Sequence, residues 1–171
     1  MEGVLATAGD FHVIVGDFND AFVEIVAESV ADALNPCQRL RVHGTPEADR
    51  ILAMADERPA DLFVLFLNNV SFGQWGRNLE ADSFIKALML VRHLKCVHQR
   101  PIIATAAFPA EFLYEDIAIR VGADFFFRMP FDMKAFTETI RALFPERARQ
   151  ATDLRPAPLS AFRAGSHGFK A

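Results

Sequence analysis

Short apolar runs alternate along the chain with longer segments in which apolar residues recur every three or four positions. A short apolar run is typical of a strand that is buried on both faces of a parallel sheet. The longer segments predict amphipathic helices. The predicted strands span residues 12–16, 39–43, 61–67, 101–107 and 125–128. The predicted helices span residues 22–34, 45–57, 82–98, 110–121 and 133–144.

The order of these elements predicts an α/β fold. Strands that alternate with helices imply right-handed crossovers and a parallel sheet covered on both faces. The run 61–67 is the most apolar of the five, so we expect it at the centre of the sheet. The run 39–43 is polar enough for a sheet edge.

Single residues predict where some helices begin and end. Thr45 and Pro46 favour a helix start, because a hydroxyl caps a helix and proline fits its first position. Gly122 favours a helix end, and Asp132 can cap the last helix. The spacing of the fourth helix turns Ile117 toward the core.

Length and charge predict one domain with a basic tail. We expect a lead-in at 1–11, a folded body at 12–146 and a flexible tail at 147–171. Of the 18 Lys and Arg and the 22 Asp and Glu residues, 5 basic and 1 acidic residue lie in the tail, which leaves the body acidic. An acidic body argues against non-specific binding to nucleic acid.

The remaining composition predicts a soluble protein of a reducing compartment. Cys37 and Cys96 lack metal-ligand spacing and are expected to be small buried thiols. No apolar run is long enough to span a membrane, and the first residues lack the positive start of a signal peptide. We therefore expect a cytoplasmic location and no contact with a membrane.

Residues 122–131 read Gly-Ala-Asp-Phe-Phe-Phe-Arg-Met-Pro-Phe. This stretch resembles the last strand of response regulator receiver domains, whose usual form is Gly-Ala-Asp-Asp-Tyr-Leu-Thr-Lys-Pro-Phe. The same family includes the chemotaxis regulator. Other parts of its sequence pattern are similar to residues 42–48, 59–65 and 101–103. The resemblance covers about residues 12–144. It implies the flavodoxin-like, doubly wound fold with strand order 2-1-3-4-5.

The resemblance also implies a phosphorylation site at the carboxyl ends of the strands. The family uses a carboxylate acceptor after strand three and acids after strand one that hold Mg²⁺. A hydroxyl after strand four and a lysine after strand five complete the site, and the metal and the lysine offset the charge of the phosphoryl group.

The acceptor is missing from this chain. Depending on register, its position falls on Phe66, Leu67 or Asn68, and none of these is acidic. No Asp or Glu occurs between residues 62 and 79, so a shift of register does not restore it. Asn68 and Asn69 keep amides at the strand end, but an amide is a poor nucleophile and a weak ligand for a hard cation.

Three other groups of the site are missing or displaced. Gly16 replaces one of the two acids and leaves Asp17, which otherwise can cap the first helix. Ala106 falls at the hydroxyl position, and Thr105 substitutes only if the register is off by one, because neighbouring strand residues face opposite sides. Met129 stands at the lysine position.

These losses predict a pseudo-receiver that works without phosphorylation. We expect a protein-interaction module of bacterial two-component signal transduction, with a histidine kinase, another regulator or a second copy as its partner. No nucleophile, acid–base pair or metal-ligand pattern is visible, so we expect no enzymatic activity, no metal and no cofactor.

The resemblance implies a partner or homodimer surface on helix four, strand five and helix five. On that surface Phe126 is either a switch aromatic or an aromatic of a covered edge strand, and Arg128 shares its face of the strand. Tyr114 on the fourth helix completes the candidates there. Trp75, between two glycines, either anchors an interface or folds back over the vacated pocket.

A small-molecule sensor is the alternative function. Ligands of open α/β sheets bind at the carboxyl ends of the strands. Met129, Trp75 and either Phe66 or Leu67 make that place more apolar than a phosphorylation site.

Overall fold

The computed structural model describes residues 9–34, 39–78, 81–107 and 112–148, without the side chains of residues 112 and 113. The predicted tail beyond residue 148, the start of the lead-in and Cys37 lie outside these ranges.

Five strands and five helices alternate along the chain. The strands are β1 (Phe11–Gly16), β2 (Leu40–Gly44), β3 (Leu62–Phe66), β4 (Ile102–Ala106) and β5 (Phe125–Arg128). The helices are α1 (Asp20–Ala33), α2 (Ala48–Glu57), α3 (Ser83–His98), α4 (Phe112–Val121) and α5 (Met133–Leu143). Every predicted element is therefore present, with ends that move by a few residues.

The strands form one parallel sheet in the order β2-β1-β3-β4-β5. This order confirms the flavodoxin-like, doubly wound fold. It also confirms β3 as the central strand and β2 as an edge. At the carboxyl ends, Phe66 of β3 lies beside Thr105 of β4, and Ala106 lies beside Arg128 of β5.

Two hydrophobic cores cover the two faces of the sheet. Helices α2, α3 and α4 pack on one face, here called the α2–α4 face, and α1 and α5 pack on the other, the α1–α5 face. The α2–α4 face carries Ile14, Phe63, Leu65, Ile102, Ala104 and Phe126. The α1–α5 face carries Val13, Val15, Leu62, Val64, Phe66, Ile103 and Phe127.

The predicted start of α2 was wrong. The helix begins at Ala48, after an N-cap Glu47 that makes no side-chain capping hydrogen bond. Thr45 Oγ1 instead accepts a hydrogen bond from the Glu47 backbone N–H at 3.3 Å. Glu47 stays extended because it pairs with Ser71 in an isolated parallel bridge, which delays the helix.

Two residues predicted to be buried are exposed. Ile117 lies on the outer side of α4, because the neighbouring Ala118 is the residue that enters the core. Cys96 is an exposed free thiol on α3. Both lie in a groove between α3 and α4.

The fold extends slightly beyond the predicted boundaries at both ends. Phe11 is the first residue of β1 and is almost fully buried. The guanidinium of Arg147 lies 4.8 Å from the centre of the Phe11 ring and 3.5 Å from Asp61 Oδ1. Asp132 caps α5 as predicted, since its side chain accepts from the Lys134 N–H.

None of the helices within the described ranges has both the length and the apolar character of a membrane span.

Candidate functional site

Asp17 lies directly after β1 and is 2% exposed. Its Oδ1 accepts hydrogen bonds from the Asn19 backbone N–H at 3.1 Å and from Asn69 Nδ2 at 2.9 Å. Asp17 therefore joins the end of β1 to the loop that follows β3. It does not cap α1, because Asn19 is the N-cap and accepts from the Ala21 N–H.

Phe66 is the last residue of β3 and faces α1. Its ring centre lies 5.7 Å from that of Phe22, a buried residue of α1. The other two candidates for the acceptor position have different surroundings from Phe66. Leu67 is buried in the core of the α2–α4 face. Asn68 follows in the turn, where its Oδ1 accepts from the Ala107 N–H at 2.8 Å. The end of β3 thus presents an aromatic ring at a place where the resemblance implies a carboxylate.

The register brings Thr105, and not Ala106, to the face of Phe66. Thr105 pairs with Phe66 on one side and with Phe127 on the other. Since side chains alternate along a strand, Met129 shares this face and Ala106 does not. Thr105 Oγ1 is fully buried and has no hydrogen-bond partner in the described part of the chain.

Met129 lies at the edge of a cluster of aromatic rings. Phe131 is the centre of this cluster, with ring-centre distances of 5.4 Å to Phe127 and 5.0 Å to Phe136. A 6.2 Å contact joins Phe131 to Phe22, which links it to Phe66. We call Phe22, Phe66, Phe127, Phe131 and Phe136 the aromatic cluster. Met129 packs against the same core, so the position of the receiver lysine belongs to an apolar environment.

Gly16 occupies the place of a second acid, and the packing around it leaves little room for one. A Cβ atom at this position would lie 2.8 Å from Leu65 Cδ2 and 3.2 Å from Ile51 Cδ1. Both atoms belong to fully buried side chains, so a carboxylate here would require the core to move.

The residues of this site do not fit the Mg²⁺ ion that receiver phosphorylation uses. Asp17 is the remaining carboxylate, with Oδ1 already bonded and a buried Oδ2 that has no partner among the described residues. The side chains of Gly16 and Phe66 supply no oxygen ligand, although Mg²⁺ requires a nearly octahedral set of oxygens. In the described ranges no three His, Cys, Asp or Glu side chains converge as a metal site.

Three of the predicted interface residues lie on α4 and β5. Phe126 is half-buried against the core of the α2–α4 face. An Arg128 guanidinium nitrogen lies 3.5 Å from a carboxylate oxygen of Glu115 on α4. The ring of Tyr114 lies 4.4 Å from that of Phe84 on α3.

Trp75 lies elsewhere and does not fold over the vacated pocket. Its ring packs against Phe72 and against His93 of α3, with centre distances of 5.9 Å and 6.1 Å. Its backbone N–H donates to Asp49 Oδ1 at 2.6 Å, which holds the loop against α2. Sequence reasoning missed Asp49, because nothing local marks a helix residue that binds a loop 26 positions later.

The comparisons with known proteins give a match at the level of structure. No family model matches the chain, and no curated protein matches its sequence. A response regulator from Thermotoga maritima superposes with a TM-score of 0.62 at 11% identity, over 80% of this chain and 98% of that chain. An orphan response regulator of H. pylori superposes with a TM-score of 0.55 at 17% identity, over 77% of this chain and 94% of that chain.

The receiver domain of NtrX from Brucella abortus superposes with a TM-score of 0.54 at 21% identity, over 81% of this chain and 98% of that chain. The chain has the receiver fold. The carboxyl ends of β1, β3, β4 and β5 are the place where the resemblance implies a phosphorylation site, and we call this place the vacated phosphorylation site. Its chemistry follows from the residues that stand there: Gly16, Asp17, Phe66, Thr105 and Met129.

The hydrogen bond between Asp17 and Asn69 gives a testable prediction. Replacing Asn69→Ala should lower the free energy of unfolding by about 1–3 kcal/mol, because it leaves a buried carboxylate short of a donor. In the pair Asp17→Ala and Asn69→Ala the two losses should couple by about 1 kcal/mol or more. Urea unfolding of both single variants and the double variant measures this coupling.

Asn78→Ala is the matched control, because Asn78 is exposed in the same loop region. It should leave the unfolding free energy within about 0.5 kcal/mol of the wild type. Strictly additive losses for Asp17 and Asn69 would contradict the structural role assigned to their contact.

Proposed function

We propose that this protein is a phosphorylation-independent signalling module that acts by binding another protein. The observation that carries the proposal is Phe66, an aromatic side chain at the strand end where the acceptor carboxylate of a receiver stands. Without a carboxylate no acyl phosphate forms at that position. The packing of Phe66 against Phe22 supports the proposal, because it makes this strand end part of the hydrophobic core.

The other replacements support the same proposal. Met129 belongs to an apolar core, and Gly16 lies against Leu65 and Ile51. Each substitution removes a charge that phosphoryl transfer needs, and each is accommodated by apolar packing. We infer no catalytic activity from this arrangement.

The alternative function, a small-molecule sensor with its ligand in the vacated site, has less support than the protein-interaction module. Phe66 and Met129 are packed against neighbouring side chains of the α1–α5 face. Neither residue lines the groove between α3 and α4 or the groove between β2 and α2. We therefore favour a protein partner over a small ligand at this position.

The partner surface that we propose lies around β5 and α4. In the described part of the chain β5 pairs with β4 alone, so it is an edge strand, and edge strands can pair with another chain. Phe125 on this edge and Ile119 on α4 are exposed by 37% and 43%. Arg128 on the same strand contacts Glu115 of α4, and aromatic and arginine side chains are enriched at interfaces. A histidine kinase, another regulator or a second copy of the chain fits this surface.

Phosphorylation can be tested with a small phosphodonor. Incubation of the purified protein with acetyl phosphate and Mg²⁺ should leave its intact mass unchanged, because no acceptor carboxylate follows β3. A receiver domain with a complete site serves as the positive control. A hydroxylamine-sensitive phosphoryl adduct on the wild-type chain would overturn the proposal.

The partner surface can be tested with one aromatic substitution. Phe125→Asp should weaken self-association in sedimentation, or capture of the partner from lysate of the native host, by about tenfold or more. Phe18→Asp is the matched control, since Phe18 is 67% exposed and precedes α1. Equal binding by wild type and Phe125→Asp, with loss in Phe18→Asp, would place the interface at the start of α1 and contradict the proposed surface.

A further inference from the structure

A polar groove lies between the edge strand β2 and helix α2, away from the vacated phosphorylation site. Its volume is about 350 Å³, which is within the usual range of small-molecule sites. The groove is lined by His12, Ile14, His43, Arg50, Met54, Glu57 and Arg58.

The groove exists because none of the helices in the described ranges covers this side of β2. Leu40 and Val42 pack on the α1–α5 face, so Arg41 and His43 point to the α2–α4 face. There His43 pairs with Ile14 of β1, whose side chain is buried under α2. Helix α2 packs over β1 and β3, and the strip between it and β2 stays open to solvent.

Positive charge converges on this groove although the folded body is acidic. The side chains of Arg50, Arg58 and His43 form no ion pair or hydrogen bond with other described residues. Arg41 is different, because its Nε binds Asp10 Oδ2 at 2.7 Å. Glu57 is the acidic residue of the lining. Two free guanidinium groups therefore lie at one groove without a protein carboxylate bound to either.

The lining also provides an apolar wall. Ile14 is almost fully buried and Met54 is half-buried, and both lie beside the cationic groups. Guanidinium groups bind phosphate in a bidentate manner, and histidine can add a further hydrogen bond. A ligand that contacts both the guanidinium groups and the apolar wall carries a phosphate group attached to an organic group.

We propose that this groove is a binding site for a small phosphate ester, such as a mononucleotide or a sugar phosphate. Arg50 and Arg58 bind the phosphate, and Ile14 and Met54 contact the organic part. The site does not depend on the proposed loss of phosphorylation or on the partner surface at β5. This site would bind a small molecule at the β2 edge of the sheet, opposite to the β5 edge where we propose that a protein partner binds.

The experiment is an NMR titration of the full chain at low ionic strength, with adenosine 5′-monophosphate and glucose 6-phosphate as separate probes. Citrate is the third probe, because it carries comparable negative charge on carboxylates. At least one phosphate ester should bind saturably and shift the amide resonances of β2 and α2. The double variant Arg50→Ala/Arg58→Ala should weaken that binding by about tenfold or more.

Arg92→Ala/Arg120→Ala is the matched control, since both arginines are exposed on α3 and α4. It should leave the affinity within about twofold of the wild type, because surface substitutions outside a site have small effects. Three results would overturn the proposal: no saturable shift with either ester, shifts centred away from β2 and α2, or citrate binding as tightly as the esters. An equal loss of affinity in both double variants would also overturn it, because it indicates non-specific attraction.

Discussion

The contact between Phe66 and Phe22 determines what the carboxyl edge of this sheet can do. It places an aromatic ring at the end of β3 and joins it to α1, and Phe131 extends the same packing to α5. The place that a receiver keeps polar for a metal and a phosphoryl group is therefore continuous with the hydrophobic core. Asp17 remains beside it and holds the loop after β3 through Asn69. The result is a receiver fold with apolar packing at the carboxyl end of β3.

The two edges of the sheet suggest separate uses for the surface. At β5, an aromatic residue and an arginine lie on an edge strand, which suits a protein partner. At β2, Arg50 and Arg58 lie beside an open groove, which suits a small anion. The central strands between these edges are buried on both faces, and the two surfaces lie at opposite edges of one sheet.

Apolar runs and turn residues were sufficient to predict the strands and the helices, and the resemblance to receivers implied the strand order that the sheet shows. They did not decide among Phe66, Leu67 and Asn68, because the end of a strand depends on hydrogen bonds to its neighbours. Pairing with Thr105 places Phe66 at the end. The position of Trp75 was equally inaccessible, since it depends on a contact with Asp49 in a different element.

We propose that the vacated site holds no divalent cation, and a Mg²⁺ titration followed by NMR tests this proposal most directly. The informative signals are the backbone amides of Asp17, Asn69 and Thr105, which surround the carboxyl ends of β1, β3 and β4. We expect no saturable change of these signals through the millimolar range of Mg²⁺. Saturable shifts of all three amides would show a metal site at Asp17 and contradict the account.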